Sequence, residues 1–156
     1  MPSPNTANKS ADTTQWFDNL VTTIRSEQLQ LESGIADKEK QAFWKPMMEN
    51  NSLQIALTTR EMSSRLIIPE LIINYLNGLK TRVVDINSLS FQMSDSKILV
   101  WAIVNDDDED SMDQLFLQEA EINAKFAEYG FHVSTTIMEK SDNCTTPPQF
   151  IRYING

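Results

Sequence analysis

The amino-acid sequence predicts an α+β fold, in which N-terminal helices precede a ββαβ unit with a small, mainly antiparallel sheet and one long helix packed on it. In the first half, apolar residues recur at helical spacing. In the second half, the uninterrupted apolar run from Ile98 to Val104 is typical of a central strand buried on both faces. The chain has 156 residues, of which 40% are hydrophobic, and we predict a single α+β domain over residues 14–156.

The N-terminal part is predicted to be helical over residues 14–80, after a polar, flexible tail over residues 1–13. A first helix from Thr14 to Glu32 carries one apolar stripe, and Ser33-Gly34 ends it. The stripe consists of Phe17, Leu20, Val21, Ile24 and Leu31. The aromatic and methionine residues are assigned to the core, including Trp16, Trp44, Trp101, Met47 and Met48.

Shorter helical segments are predicted next. Residues 36–45 form a helix that Pro46 ends. Residues 52–59 fit both a strand and a helix, and the good helix formers that follow favour the helix. Pro69 suits the first turn of a further helix, which Asn77-Gly78 closes. Because residues 69–76 are apolar nearly all round, we predict buried surface shared between two chains, and hence a homodimer.

The ββαβ part is predicted over residues 81–139. A strand from Arg82 to Met93 changes phase near Asn87-Ser88, which indicates a bulge or break. It forms a hairpin with a second strand over residues 97–105. A helix over residues 111–129 follows, with Asp110 as its N-cap and Gly130 after its end. A half-exposed or edge strand over residues 131–139 completes the unit, and residues 140–156 form an extended tail that lies on the fold.

Two polar residues interrupt the apolar face of the long helix. Glu119 and Asn123 are four residues apart in the middle of that face. An acid in apolar surroundings is a candidate general base or ligand anchor, and facing the sheet it would meet a polar residue such as Ser88, Ser90 or Thr135. The alternative is that the helix crosses the sheet obliquely, so that both residues lie at a wet edge, a cavity or a dimer seam.

An acidic run joins the second strand to the long helix. It contains Asp106, Asp107, Asp108 and Asp110, and carboxylate oxygens are the ligands that hard divalent cations prefer. This run is the candidate metal site; the alternative is a solvated helix N-terminus, whose carboxylates favour capping and solubility. No other cofactor is expected.

The apolar strand, the acidic run, the helix and Gly130-Phe131 together resemble the opening of a response-regulator receiver domain. That resemblance implies Mg²⁺ held beside a phospho-accepting Asp on a later strand. It covers about thirty-five residues. Only seventeen residues follow residue 139, too few for the further βα units of a receiver. We therefore interpret it as convergence on a strand–turn–helix pattern.

Residues 58–76 weakly resemble a helix-turn-helix, which implies DNA binding. The first helix would span Thr59 to Leu66, but Ile67 stands where the sharp turn usually requires Gly. The second helix, residues 70–76, carries no basic side chain. A core or dimer helix is the preferred interpretation.

Charge and cysteine content exclude several classes of function. The formal net charge is −9, which disfavours nucleic acid and anionic membranes. The single cysteine, Cys144, excludes an internal disulfide, and no apolar stretch is long enough to span a membrane. We expect a cytoplasmic, non-catalytic interaction or regulatory protein with a possible protein partner. The alternatives are a small-ligand-binding domain or enzyme with a pocket around Glu119 and Asn123, and DNA binding through residues 58–76.

Overall fold

The computed structural model describes residues 4–154, with side chains described for residues 11–153. The chain divides into two compact units, Met1–Thr58 and Thr59–Gly156. This division describes how the residues pack and does not test whether residues 14–156 form a single domain, which stays a prediction. Among the described helices, none is long and apolar enough to cross a membrane.

The first unit contains helix α1 (Pro4–Glu32), helix α2 (Lys38–Met48) and the beginning of helix α3 (Ser52–Arg82). The N-cap of α2 is Asp37, whose carboxylate accepts the Lys40 N–H at 2.8 Å. The end of α1 is tied to α2 by the Trp44 indole N–H, which donates to Glu27, and by the Lys40 ammonium, which donates to Gln30 Oε1 at 2.8 Å.

The start of α1 and the end of α2 differ from the sequence predictions. Residues 4–13, predicted as a flexible tail, belong to α1, while residues 1–3 lie outside the described part of the chain. Pro46 does not end α2, which continues to Met48. A proline removes one N–H and crowds the carbonyl four residues before it. Here it lies in the last turn, where few helical bonds remain to be disrupted.

Helix α3 is continuous where the sequence indicated separate helices. It begins at Ser52, which confirms the helical interpretation of residues 52–59, and it passes through Pro69 and Gly78 without a break. The buried side chains Ile68, Leu71, Tyr75 and Leu79 form one stripe that spans both residues. Burying each of these side chains is worth about 1.5–3 kcal/mol, so together they exceed the cost of one interior proline, about 3 kcal/mol.

The second unit contains a four-stranded mixed sheet. Its strands are β1 (Ser88–Met93), β2 (Lys97–Val104), β3 (His132–Glu139) and β4 (Ile151–Ile154), in the order β3-β2-β1-β4. Strand β1 pairs antiparallel with both β2 and β4, whereas β2 and β3 are parallel. The predicted α+β class, the β1–β2 hairpin and the central position of β2 are confirmed.

Two parts of the sheet differ from the predictions. The strand predicted from Arg82 begins only at Ser88, so the change of phase near Asn87-Ser88 marks the start of β1. The irregularity in the sheet lies two residues later, between Leu89 and Ser90, in the pairing with β4. Strand β4 itself comes from the segment predicted as an extended tail, because Ile151, Arg152 and Ile154 pair with the free edge of β1.

Helix α4 (Glu109–Phe126) connects the parallel strands β2 and β3, and a 3-10 turn (Ala127–Tyr129) extends it. Its N-cap is Asp108 instead of the predicted Asp110: the Asp108 carboxylate accepts the Ser111 N–H at 3.0 Å. Gly130 has a φ of 77°, the left-handed conformation expected after a helix end. The core of this unit combines α3, α4 and the sheet, through residues such as Leu71, Leu89, Val100, Leu115 and Val133.

Candidate functional site

Glu119 and Asn123 lie together against strand β3, and both bind its backbone. The Asn123 amide nitrogen donates to the Val133 carbonyl at 2.9 Å, and the Val133 N–H donates to Asn123 Oδ1 at 2.7 Å. The Thr135 N–H donates to Glu119 Oε2 at 2.6 Å. Of the three sheet residues expected to meet Glu119, it is Thr135 that does so, and it binds through its backbone.

These contacts protect the exposed edge of the sheet. Strand β3 is outermost in the strand order, and an edge strand presents unpaired N–H and C=O groups that can recruit another strand. Asn123 and Glu119 satisfy three of those groups from α4. This agrees with the alternative interpretation, in which both residues lie at an edge. Both side-chain polar atoms of Asn123 and Oε2 of Glu119 thus hold β3, and a catalytic role for either residue stays a prediction.

A buried tyrosine lies close to the same edge. Burial raises the pKa of Tyr75 to about 12; the neighbouring Thr135 side chain opposes the rise and the negative charge of Glu119 adds to it. Among the described residues, neither the Tyr75 hydroxyl nor Thr135 Oγ1 has a hydrogen bond of normal geometry. Such a phenol stays protonated at neutral pH and is a poor general base.

An arginine clamp that the sequence did not reveal joins α3 to α4. Arg82 Nε donates to Gln118 Oε1 at 2.8 Å, Nη1 donates to Gln114 Oε1 at 3.1 Å, and Nη2 pairs with Glu121 Oε2 at 2.5 Å. Gln118 is almost fully buried and lies against Gly78 so closely that a Cβ there would overlap its amide group. The clamp positions two helices. The only sequence signal for it is Gly78, a glycine inside a helix.

Three residues of the acidic run form hydrogen bonds within the second unit. Asp106 Oδ1 accepts the Ser141 N–H at 2.7 Å, the Asp107 N–H donates to Glu139 Oε1 at 3.0 Å, and Asp108 caps α4. Within the described residues, no group of three Asp, Glu, His or Cys side chains is placed to hold a metal ion. The candidate metal site formed by Asp106, Asp107, Asp108 and Asp110 therefore gains no support, and the contacts favour the capping interpretation.

The helix-turn-helix interpretation of residues 58–76 is wrong, because those residues form part of one uninterrupted helix and the turn is missing. Two of the basic residues that a DNA-binding surface would need are also paired with acids. Arg60 Nε is 3.0 Å from Asp95 Oδ2, and Arg65 Nη2 is 2.9 Å from Glu61 Oε1.

The first unit exposes an apolar helix surface. Five side chains of α1, which we call the α1 apolar face, have exposed fractions between 38% and 59%: Trp16, Phe17, Leu20, Val21 and Ile24. The sequence predicted one apolar stripe here and assigned its aromatic residues to the core. For Trp16 and Phe17 the core assignment is wrong, because no described element of the first unit covers them. Helical periodicity identifies an apolar face but does not show whether the same chain covers it.

A groove continues from the α1 apolar face. It has a volume of about 350 Å³ and is lined by Ile24, Gln28, Leu31, Glu32, Trp44 and Met48. Its walls come from α1 and α2, and the Trp44 bond to Glu27 fixes one of them. The face and the groove together form a surface of the kind into which an amphipathic helix or an aromatic side chain packs.

Comparison with protein families, with curated proteins and with solved structures yields no match to this chain.

Proposed function

We propose that this chain is a non-catalytic interaction protein, which binds a polypeptide partner through the α1 apolar face. The observation that carries the proposal is the exposure of five large apolar side chains on consecutive turns of one helix. Scattered exposed apolar residues are ordinary on a protein surface, but a contiguous patch marks an interaction site.

The apolar face of α1 is exposed, although an amphipathic helix is usually stabilised by packing of that face. Residues 11–26 of α1 are all exposed. Most helical stability in proteins comes from packing of the apolar face and not from helix propensity. A partner that covers the face therefore stabilises α1 at the same time as it buries apolar surface. Because the face and the groove are adjacent, one partner can occupy both.

The polar groups of the second unit support a non-catalytic function. Glu119 and Asn123 bind the backbone of β3, Arg82 joins α3 to α4, and the acidic run caps α4 or binds neighbouring backbone. These assignments give structural roles to the side chains that a reaction would have required. Repulsion of phosphates by the net charge of −9 makes nucleic acid an unsuitable partner. We place the protein in the cytoplasm, as the sequence predicts.

Site-specific photo-crosslinking tests the proposal. A photoreactive phenylalanine analogue replaces Leu20, in the middle of the face, in the cells that naturally make the protein. The matched control carries the analogue at Thr22, which is exposed on the same helix but lies about 160° around it from Leu20. We expect covalent adducts with a polypeptide from position 20 and few from position 22. No adducts, or equal adducts from both positions, would contradict the proposal.

A further inference from the structure

We infer that the partner of the α1 apolar face is a second copy of this chain, whose α1 packs antiparallel to the first about Leu20 and Val21. This inference rests on the proposed function, since it names the occupant of the same surface. It also moves the expected homodimer interface. The sequence placed it at residues 69–76, but Leu71 and Tyr75 of that segment are buried in the core of the second unit.

The lack of charge on the face favours a second copy. Between Thr13 and Ile24 the only charged residue is Asp18, and it lies about 160° around the helix from Leu20. A charged partner surface would lose water here without gaining a counter-charge. The same face of another copy is equally apolar and uncharged, so no charged group loses its water when the two faces meet.

The area of the face is sufficient for a weak dimer. The five side chains expose between 38% and 59% of their surface. If a whole aromatic side chain has a surface of about 150–250 Å², the exposed parts of the five side chains add up to roughly 450 Å² per copy. When two copies cover each other's face completely, the buried area is about 900 Å². Interfaces below about 1,200 Å² are typically weak. Met48, which lines the groove and is 64% exposed, adds to the area. We expect dissociation in the micromolar range, about −8 kcal/mol.

The distribution of side-chain sizes favours the antiparallel orientation. The bulky Trp16 and Phe17 lie at the N-terminal end of the face, and the smaller Val21 and Ile24 lie at the C-terminal end. An antiparallel pair places large side chains opposite small ones, which fills the interface evenly, whereas a parallel pair leaves it thick at one end and thin at the other. The macrodipoles of two antiparallel helices oppose each other, which also favours the antiparallel pair.

The groove supplies a second reason for this orientation. In a pair centred on Leu20 and Val21, the partner's Phe17 lies beside Ile24, which is the first residue of the groove. The cavity of about 350 Å³ is large enough for an aromatic side chain. A parallel pair would instead place the aromatic residues of both copies at the N-terminal end, about 10 Å from Ile24 along the helix.

Sedimentation equilibrium between 1 and 100 μM tests self-association. We expect the wild-type chain to change from one to two copies over this range, and Leu20→Glu to remain a single copy. The control is Thr22→Glu, which introduces the same charge on the opposite side of α1 and should dimerise like the wild type. Far-ultraviolet circular dichroism of each variant, recorded at equal concentration, shows whether the fold is retained. A wild-type chain that stays single at 100 μM would overturn the inference.

Disulfide trapping tests the orientation. In a Cys144→Ser background, chains carrying Phe17→Cys are mixed with chains carrying Ile24→Cys under mild oxidation. The antiparallel pair predicts mixed dimers, because the two positions face each other. It predicts few self-pairs, because two copies of position 17 are about 10 Å apart along the axis, beyond the roughly 7 Å that a disulfide spans between Cα atoms. Self-pairs in excess of mixed pairs would show a parallel dimer and refute this orientation.

The two proposals fail in different ways. If the chain stays single in solution while position 20 still forms photo-adducts with other polypeptides, the second copy is wrong and the interaction function stands. If the chain stays single and position 20 forms no adducts, both are wrong. Photo-adducts that consist of two copies of this chain support both.

Discussion

Replacing Gly78 by alanine is expected to destabilise the second unit, although the same change usually stabilises a helix interior. Gly78 lies inside α3, and its Cα faces the buried amide of Gln118. A methyl group at this position would overlap that amide. Gln118 has little freedom to move away, because it is almost fully buried and accepts a hydrogen bond from Arg82 at 2.8 Å.

The expected magnitude follows from three opposing contributions. Alanine gains about 0.5–1 kcal/mol of helix propensity over glycine. Overpacking of a well-filled site costs about 1–3 kcal/mol. Displacing Gln118 also weakens a hydrogen bond to a charged group, worth about 1.5–3 kcal/mol when fully formed. Since the Arg82 side chain is 24% exposed, water replaces part of that bond. We expect a net loss of about 1–3 kcal/mol in the free energy of unfolding.

Urea denaturation in a double-mutant cycle measures this effect. The free energies of unfolding of the wild type, Gly78→Ala, Gln118→Ala and the double variant are compared. In the Gln118→Ala background the overlap is absent, so Gly78→Ala should be neutral or stabilising. The reasoning is refuted if Gly78→Ala stabilises the wild type, or if it costs the same in both backgrounds.

Three further changes concern the edge strand, the buried tyrosine and the cap of α4. Asn123→Ala removes two hydrogen bonds to the β3 backbone and should cost about 1–3 kcal/mol in urea denaturation; Asn77→Ala, at an exposed position of α3, should cost none. Tyr75→Phe should be neutral or stabilising at pH 7, because it deletes a buried hydroxyl without a partner, and a clear loss of stability would show that the hydroxyl is hydrogen-bonded. Because burial raises the pKa of Tyr75 to about 12 from an ordinary 10, the folded state retains this proton longer than the unfolded state. Stability should then fall between pH 10 and pH 12 by up to about 3 kcal/mol, and Tyr75→Phe, followed by circular dichroism in urea, should lack this part of the decline. Asp108→Ala removes the N-cap of α4 and should cost about 0.5–2 kcal/mol, more than Asp110→Ala, and an equal loss from both would contradict the capping assignment.

Elements with a strong local signal were predicted closely from the sequence. Strand β2 was predicted over residues 97–105 and ends one residue earlier, because an unbroken apolar run has few alternatives to a central strand. The end of α4 was also predicted, because Gly130 adopts the left-handed conformation that glycine tolerates best. In both cases a few neighbouring residues determine the structure.

Elements that depend on distant contacts were predicted poorly. Pro69 and Gly78 are local signals for helix boundaries, but α3 continues because its buried stripe packs on the sheet on both sides of them. Strand β4 has a weak local pattern and forms by pairing with β1, about sixty residues earlier. No local rule reports such pairings.

The candidate site shows the same difference between features set by local sequence and features set by distant contacts. The helical period placed Glu119 and Asn123 correctly on the side of α4 that meets β3. It did not show that their partners are backbone groups, since this depends on which strand lies at the edge. The α1 apolar face was recognised as a stripe, but its exposure depends on what the rest of the chain leaves uncovered.

The Asn123 contact changes which positions are free to vary during evolution. From Val133 to Met138, strand β3 has no charged residue and no proline, the usual means by which edge strands avoid pairing with other chains. That protection comes from α4, through the backbone of β3 and not through its side chains. We therefore expect the exposed positions of β3, such as Thr136, to tolerate many substitutions, while Asn123 tolerates few. A deep mutational scan with a solubility readout would show this contrast directly.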